Sequence, residues 1–139
     1  MNSLVVDASV AIKWFIPEIH SINAIGLLDM PLNFVAPDLI FSEMGNILWK
    51  KYRQKDLSLK NATQVLYDFK RTPIDIFSNE LLFESTWDIA TNYGTTFYDS
   101  SYLALAHIKK CLLITADKKL YTLLRQTRLS PLLLWVEDV

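Results

Sequence analysis

Apolar residues along this chain come in two rhythms, short unbroken runs and stripes at helical spacing. The two alternate from one end to the other. Leu4-Val5-Val6 is an unbroken run and reads as a buried strand. Residues 8–16 then place Ala8, Ala11, Ile12 and Phe15 at helical spacing, ending before Pro17. A second helix is expected to open at Pro17-Glu18, carry Ile19, Ile22, Ile25, Leu27 and Leu28, and stop near Pro31. Its apolar residues cover much of the circumference, with Trp14 and Phe15 nearby. The first expectation is that all of these residues belong to the core, and the competing reading turns one flank toward a partner.

Asn33 to Pro37 reads as a short strand closed by proline, after which Asp38 is expected to cap a helix running to about Arg53. The helix 58–71, with Leu59, Ala62, Val65, Leu66 and Phe69, should pack antiparallel on it as a hairpin. Pro73 to Phe77 is a further strand. In the helix 79–93, Leu81, Leu82, Trp87, Ile89 and Ala90 are assigned to the core. A helix beginning near Thr96 carries Leu103 and Ala106 on one face. Cys111 to Thr115 is again a buried strand, followed by a helix over 117–128 and a last strand, Leu132 to Trp135. Strands alternating with helices imply an α/β fold whose sheet is mainly parallel, with right-handed crossovers. No linker, repeat or low-complexity segment divides residues 1–139, so a single domain is expected.

Composition narrows the function classes. Hydrophobic residues make up 51% of the 139, which is enough for a real core. No apolar run is long enough to span a bilayer. Asp7 interrupts any signal-like apolar stretch, so a cytoplasmic location is expected. The formal charge of −1 argues against tight nonspecific nucleic-acid binding without excluding a nuclease. Cys111 is the only cysteine, which rules out an internal disulfide. His20 and His107 lack metal-ligand spacing, and no nucleophile elbow is present.

Four acids remain at positions a solvated side chain would not choose. Asp7 and Asp117 each follow a buried strand and precede a helix, which places both at the carboxyl edge of a parallel sheet. Asp99 begins the inward face of its helix. Glu43 borders an apolar stripe, with Ile47 where a pairing lysine would stand, so it needs a partner of another kind. Each aspartate has a plainer reading as a helix cap. Gathered together, however, such carboxylates repel: two charges about 4 Å apart cost roughly 4 kcal/mol at an effective dielectric of 20. A divalent cation relieves this, and all-oxygen ligands suit Mg²⁺ or Mn²⁺. An acidic cluster around such an ion serves phosphodiester hydrolysis.

Val6-Asp7-Ala8-Ser9, Glu43 with Asn46, Tyr98-Asp99-Ser100-Ser101-Tyr102-Leu103-Ala104-Leu105-Ala106 and Thr115-Ala116-Asp117 occur in this order. In this the chain resembles the PIN-domain ribonucleases, and more narrowly the toxins of VapC-type toxin–antitoxin pairs. The resemblance implies a PIN-like three-layer α/β/α sandwich and a Mg²⁺-dependent endoribonuclease for single-stranded RNA, with Mn²⁺ able to substitute. It implies Asp7, Asp99 and Asp117 as metal ligands, Glu43 as a fourth catalytic acid, and Ser9 and Thr115 as hydroxyls that hold the acids. A small antitoxin and a homodimer are the implied partners. Lys13, Lys118 and Lys119 adjoin these segments and are candidates for holding the RNA backbone. Two alternatives stay open: a PIN nuclease for RNA maturation or DNA processing without an antitoxin, and a noncatalytic module in which the acids are only caps and ion-pair partners.

Overall fold

A computed structural model describes residues 2–139. Its five strands are β1 (Asn2–Val6), β2 (Leu32–Pro37), β3 (Asp75–Phe77), β4 (Leu112–Thr115) and β5 (Leu133–Trp135). They form one sheet in the order β3-β2-β1-β4-β5, and every neighbouring pair is parallel. The expected mainly parallel sheet is thus parallel throughout. β1 lies in the middle because Leu4, Val5 and Val6 have no polar face to offer solvent; all three are buried. From β1 the chain builds outward through β2 to β3, then crosses back to β4 on the other side. The carboxyl ends of β1 and β4 therefore flank the switch point where such sheets leave a crevice.

The helices are α1 (Ala8–Ala11), α2 (Ser21–Gly26), α3 (Leu39–Arg53), α4 (Leu59–Arg71), α5 (Asn79–Tyr93), α6 (Phe97–Lys109) and α7 (Lys118–Leu124). α6 lies across β1, β2 and β4, while α1 and α3 touch each other and pack against β4 and β2 respectively. In α6 the whole stretch Ser100 to Ala106 is buried, and Ala104 and Ala106 let it approach the sheet closely. α3 and α4 form the expected hairpin. No helix among the described residues is long and apolar enough to cross a membrane.

Several expectations are corrected. The helix 8–16 keeps α geometry only to Ala11 and tightens to 3₁₀ over Ile12–Trp14, as a chain approaching Pro17 must end its hydrogen-bond ladder. Likewise the second helix starts at Ser21 rather than at Pro17-Glu18, and turns 3₁₀ at Leu27–Asp29. The helix expected over 117–128 stops at Leu124, whose carbonyl is taken by both the amide (2.9 Å) and the hydroxyl (2.6 Å) of Thr127. Asp38 precedes α3 but makes no side-chain cap on it. Instead it accepts from the Asn79 amide at 3.1 Å and so serves the start of α5. Leu81 and Trp87 are exposed; the inward face of α5 is built on Leu82 and Thr86. Trp14 and Phe15 pack toward the core, and the Trp14 indole donates to the Ala24 carbonyl at 2.8 Å. They are not part of an exposed wall.

Candidate active site

Asp7 ends β1 and caps α1, and its two oxygens tie the central strand to its neighbour. Oδ1 accepts from the Val10 amide (3.1 Å) and the Ser9 hydroxyl (2.5 Å). Oδ2 accepts from the Thr115 hydroxyl at 2.6 Å. Each hydroxyl is anchored in turn: Ser9 Oγ accepts from the Ala116 amide, and Thr115 Oγ1 from the Asp117 amide, both at 3.0 Å. The ends of β1 and β4 are thereby laced together around one carboxylate that is 7% exposed. Burial is the main influence on Asp7 and raises it from 3.8 to about 6. The Ser9, Thr115 and Val10 hydrogen bonds oppose that rise, and the Glu43 charge adds to it.

Asp117 caps α7, accepting from the Leu120 amide at 3.1 Å. The cap reading is therefore true of Asp7 and Asp117 as far as it goes. It fails for Asp99, because Thr96 caps α6 by accepting the Asp99 amide. Burial and then the Asp117 charge raise the Asp99 carboxyl above its usual range. Glu43 meets the partner its position requires: the Tyr102 hydroxyl of α6 donates to Glu43 Oε1. Burial still pushes Glu43 up, aided by the charges of Asp99 and Asp117 and opposed by the tyrosine. Tyr102 is itself driven far up by burial and by Glu43, so its hydroxyl stays a donor.

All four acids line one cleft of about 220 Å³, together with Ala8, Ser9, Asn46, Ile47 and Tyr102. No lysine, arginine or histidine among the described residues lines it. The carboxylates share this cleft without closing into a cage: among the described residues no group of three His, Cys, Asp or Glu side chains could enclose an ion at once. The open arrangement matches Mg²⁺, which keeps several waters and takes only one or two carboxylates directly.

Lys13 does not reach the site. It is 6% exposed and pairs with Glu18 at 2.8 Å, and Glu18 also takes Lys51 at 3.5 Å. Its role is to fasten the segment after α1, not to hold a backbone. Lys118 and Lys119 are exposed on the first turn of α7, beside Asp117. Tyr102 was given no role by sequence reasoning. Its position three residues after Asp99, on the same helix face, is the signal that was available.

A three-layer parallel α/β fold that gathers four carboxylates in one cleft at the carboxyl edge of its sheet defines a narrow class of protein. The PIN domain family model matches residues 4–124, and the chain belongs to that family. It is 29% identical over 120 residues to a protein named Ribonuclease VapC3 from Pyrobaculum aerophilum, a match covering 84% of this chain and 91% of the relative. It is also 29% identical over 117 residues to Ribonuclease VapC9 of Mycobacterium tuberculosis, covering 84% of this chain and 87% of that one. Among solved structures, PAE2754 from Pyrobaculum aerophilum superposes with a TM-score of 0.69 at 26% identity, over 98% of this chain and 85% of that one. A toxin–antitoxin complex from Klebsiella pneumoniae shares the fold at 13% identity, with a TM-score of 0.68 over 98% and 99% of the two chains.

Proposed function

We propose that this chain is a Mg²⁺-dependent endoribonuclease for single-stranded RNA and the toxin of a toxin–antitoxin pair, with Mn²⁺ able to replace Mg²⁺. The observation that carries this reading is the single cleft into which Asp7, Glu43, Asp99 and Asp117 converge with no basic side chain to balance them. Membership of the PIN family and the named ribonuclease relatives support the same class of reaction. The donor set fits a hard divalent ion, which Asp7 and Asp99 would hold, with Asp117 reaching it directly or through water. Such an ion, when bound, supplies Lewis-acid charge at the phosphate and makes a water nucleophilic at neutral pH.

The chain's own groups do the rest. Ser9 and Thr115 fix both oxygens of Asp7, so its carboxylate cannot swing away as charge builds in the cleft. Glu43, with Oε1 fixed by Tyr102, keeps Oε2 to orient a water and take its proton. Burial raises the Glu43 carboxyl above its usual range, which makes it a stronger proton acceptor than a solvated carboxylate. Incubating the protein with single-stranded RNA tests the reading: cleavage with Mg²⁺ or Mn²⁺, none with EDTA, and products bearing 5′-phosphate and 3′-hydroxyl ends. Intact RNA under all three conditions would overturn it.

An antitoxin and a second copy of the chain are the proposed protein partners. For the antitoxin, the support is an apolar stripe around α2, where Ile22 is 89% exposed and Ile25 46%, flanked by exposed Ile19 and Leu28. Because these side chains already face water, Ile22→Asp and Ile25→Asp should leave the melting temperature of the isolated toxin within about 2 °C. Each should weaken antitoxin binding at least about tenfold, measured by calorimetry or co-purification. Unfolding of the variants would return both residues to the core; unchanged affinity would move the antitoxin elsewhere.

A further inference from the structure

We propose that a second cleft, lined by the chain neighbours of Asp117, is a nucleotide subsite. It takes the base of a nucleotide next to the phosphate under attack, and so rests on the ribonuclease reading above. This cleft has a volume of about 640 Å³, within the range of sites that hold small ligands, roughly 300–1,000 Å³.

Its wall is aromatic. Trp135, at the end of β5, stacks on Tyr121 of α7 with ring centroids 5.4 Å apart and planes 24° from parallel. His20 meets the Trp135 ring edge-on at 5.8 Å. Flat, stacked rings of this kind are what unpaired bases use as platforms. At the rim stand Lys118 and Arg125, and neither enters an ion pair among the described residues. They are free for a ribose-phosphate backbone.

Glu137 determines which part of a nucleotide can enter. Its Oε1 accepts the Trp135 indole N–H at 3.0 Å and lies 3.6 Å from His20 Nε2, so the half-exposed carboxylate is fixed at the mouth of the cleft, against its aromatic wall. A phosphate would be repelled there. A base edge that donates would not, because a carboxylate only accepts. Bases carrying an amino group therefore match this wall, and uracil, with one ring N–H, matches it least.

Position links the two clefts. Asp117 lines the acidic cleft, while its chain neighbours Ala116 and Lys118 line this one. A strand of RNA passing over Lys118 would set one nucleotide in each.

The test compares cleavage of a single-stranded oligouridylate in which one residue is replaced in turn by A, C or G. Wild type is expected to prefer the oligomers with an amino-bearing base beside the cut. Tyr121→Leu and Arg125→Ala should raise KM about tenfold and change kcat by less than about twofold, as loss of a stacking or backbone contact away from the chemistry does. Glu137→Gln should erase the preference over uracil. Arg125 is exposed, so Arg125→Ala keeps the test decisive should Tyr121→Leu fail to fold. Unchanged KM and unchanged base preference in enzymes that still cleave would overturn the subsite and leave the ribonuclease reading standing. Variants that cleave normally but bind antitoxin less tightly would also overturn it, assigning the cleft to a protein partner. A wild type that cleaves no RNA would remove the ribonuclease reading, and the subsite with it.

Discussion

Asp99→Asn is expected to slow metal-dependent RNA cleavage by about 10²–10³-fold or more, while making the metal-free protein more stable than wild type. The two effects share one cause. Asp99 enters the cleft from the first turn of α6, where Thr96 already does the capping. Its charge is there at a cost: burial and the Asp117 charge both oppose ionisation. Asparagine has the same shape without the charge, so it relieves repulsion within the apo cleft and removes a proposed ligand. Thermal unfolding with EDTA and with Mg²⁺ separates the contributions. Wild type should gain stability from the ion, by about 2.7 kcal/mol at a hundredfold excess over Kd. Asp99→Asn should begin higher and respond little. A variant that is simply less stable, and still cleaves RNA, would make Asp99 a structural residue.

The metal-free protein is also expected to lose stability as pH rises through the range where most proteins hold theirs. Asp7 is raised by burial from 3.8 to about 6, so the folded state binds its proton more tightly than the unfolded chain does. For a group shifted in this direction, the stabilisation is fully present below about pH 4 and is gone once pH passes the folded value near 6. The difference amounts to about 3 kcal/mol. Glu43 and Asp99 are shifted in the same direction and add to it. Denaturant unfolding of wild type and Asp7→Asn at pH 4 and pH 7, in EDTA, isolates the Asp7 share. The stability gap between the two proteins should move toward the variant by about 2 kcal/mol on going from pH 4 to pH 7, since part of the roughly 3 kcal/mol is already lost at pH 4. Adding Mg²⁺ at pH 7 should restore wild type, because the ion favours the ionised carboxylates. A gap that does not change with pH would mean that the Ser9, Thr115 and Val10 hydrogen bonds cancel the burial of Asp7.

Much of the candidate site was legible before any coordinates. A buried run followed by an acid and then a helix occurs twice, at Asp7 and at Asp117. In a parallel sheet both acids must come out at the same edge. Glu43 was legible as a side chain lacking its partner, but the partner was not. Tyr102 reads as one more apolar residue of a buried helix, and nothing local shows that its hydroxyl reaches across to α3. Lys13 failed in the opposite way. Next to Ala11 and Ile12 it looks like a cation beside the site, yet the turn at Pro17 brings Glu18 back to it. Leu81 and Trp87 mark the same limit on α5, where apolar composition identified the helix without showing which of its sides α6 would cover.

What the sequence alone determined, then, is whatever follows from local pattern. This includes the alternation of strand and helix, the parallel sheet, and the four acids standing where a strand ends or a helix turns inward. Hydrophobic period and turn chemistry are properties of neighbouring residues, so they can be read in order along the chain. The tertiary structure decided which groups meet across the fold: it gives Thr115, which the resemblance implied only as a hydroxyl holding an acid, to Asp7, 108 residues away, and Tyr102 to Glu43, 59 away. It also decided that α2 turns Ile22 to water while Trp14 turns inward. Such pairings depend on crossover geometry and on the rotation of each helix about its axis. Both are set by packing the whole core at once, and no local segment encodes them.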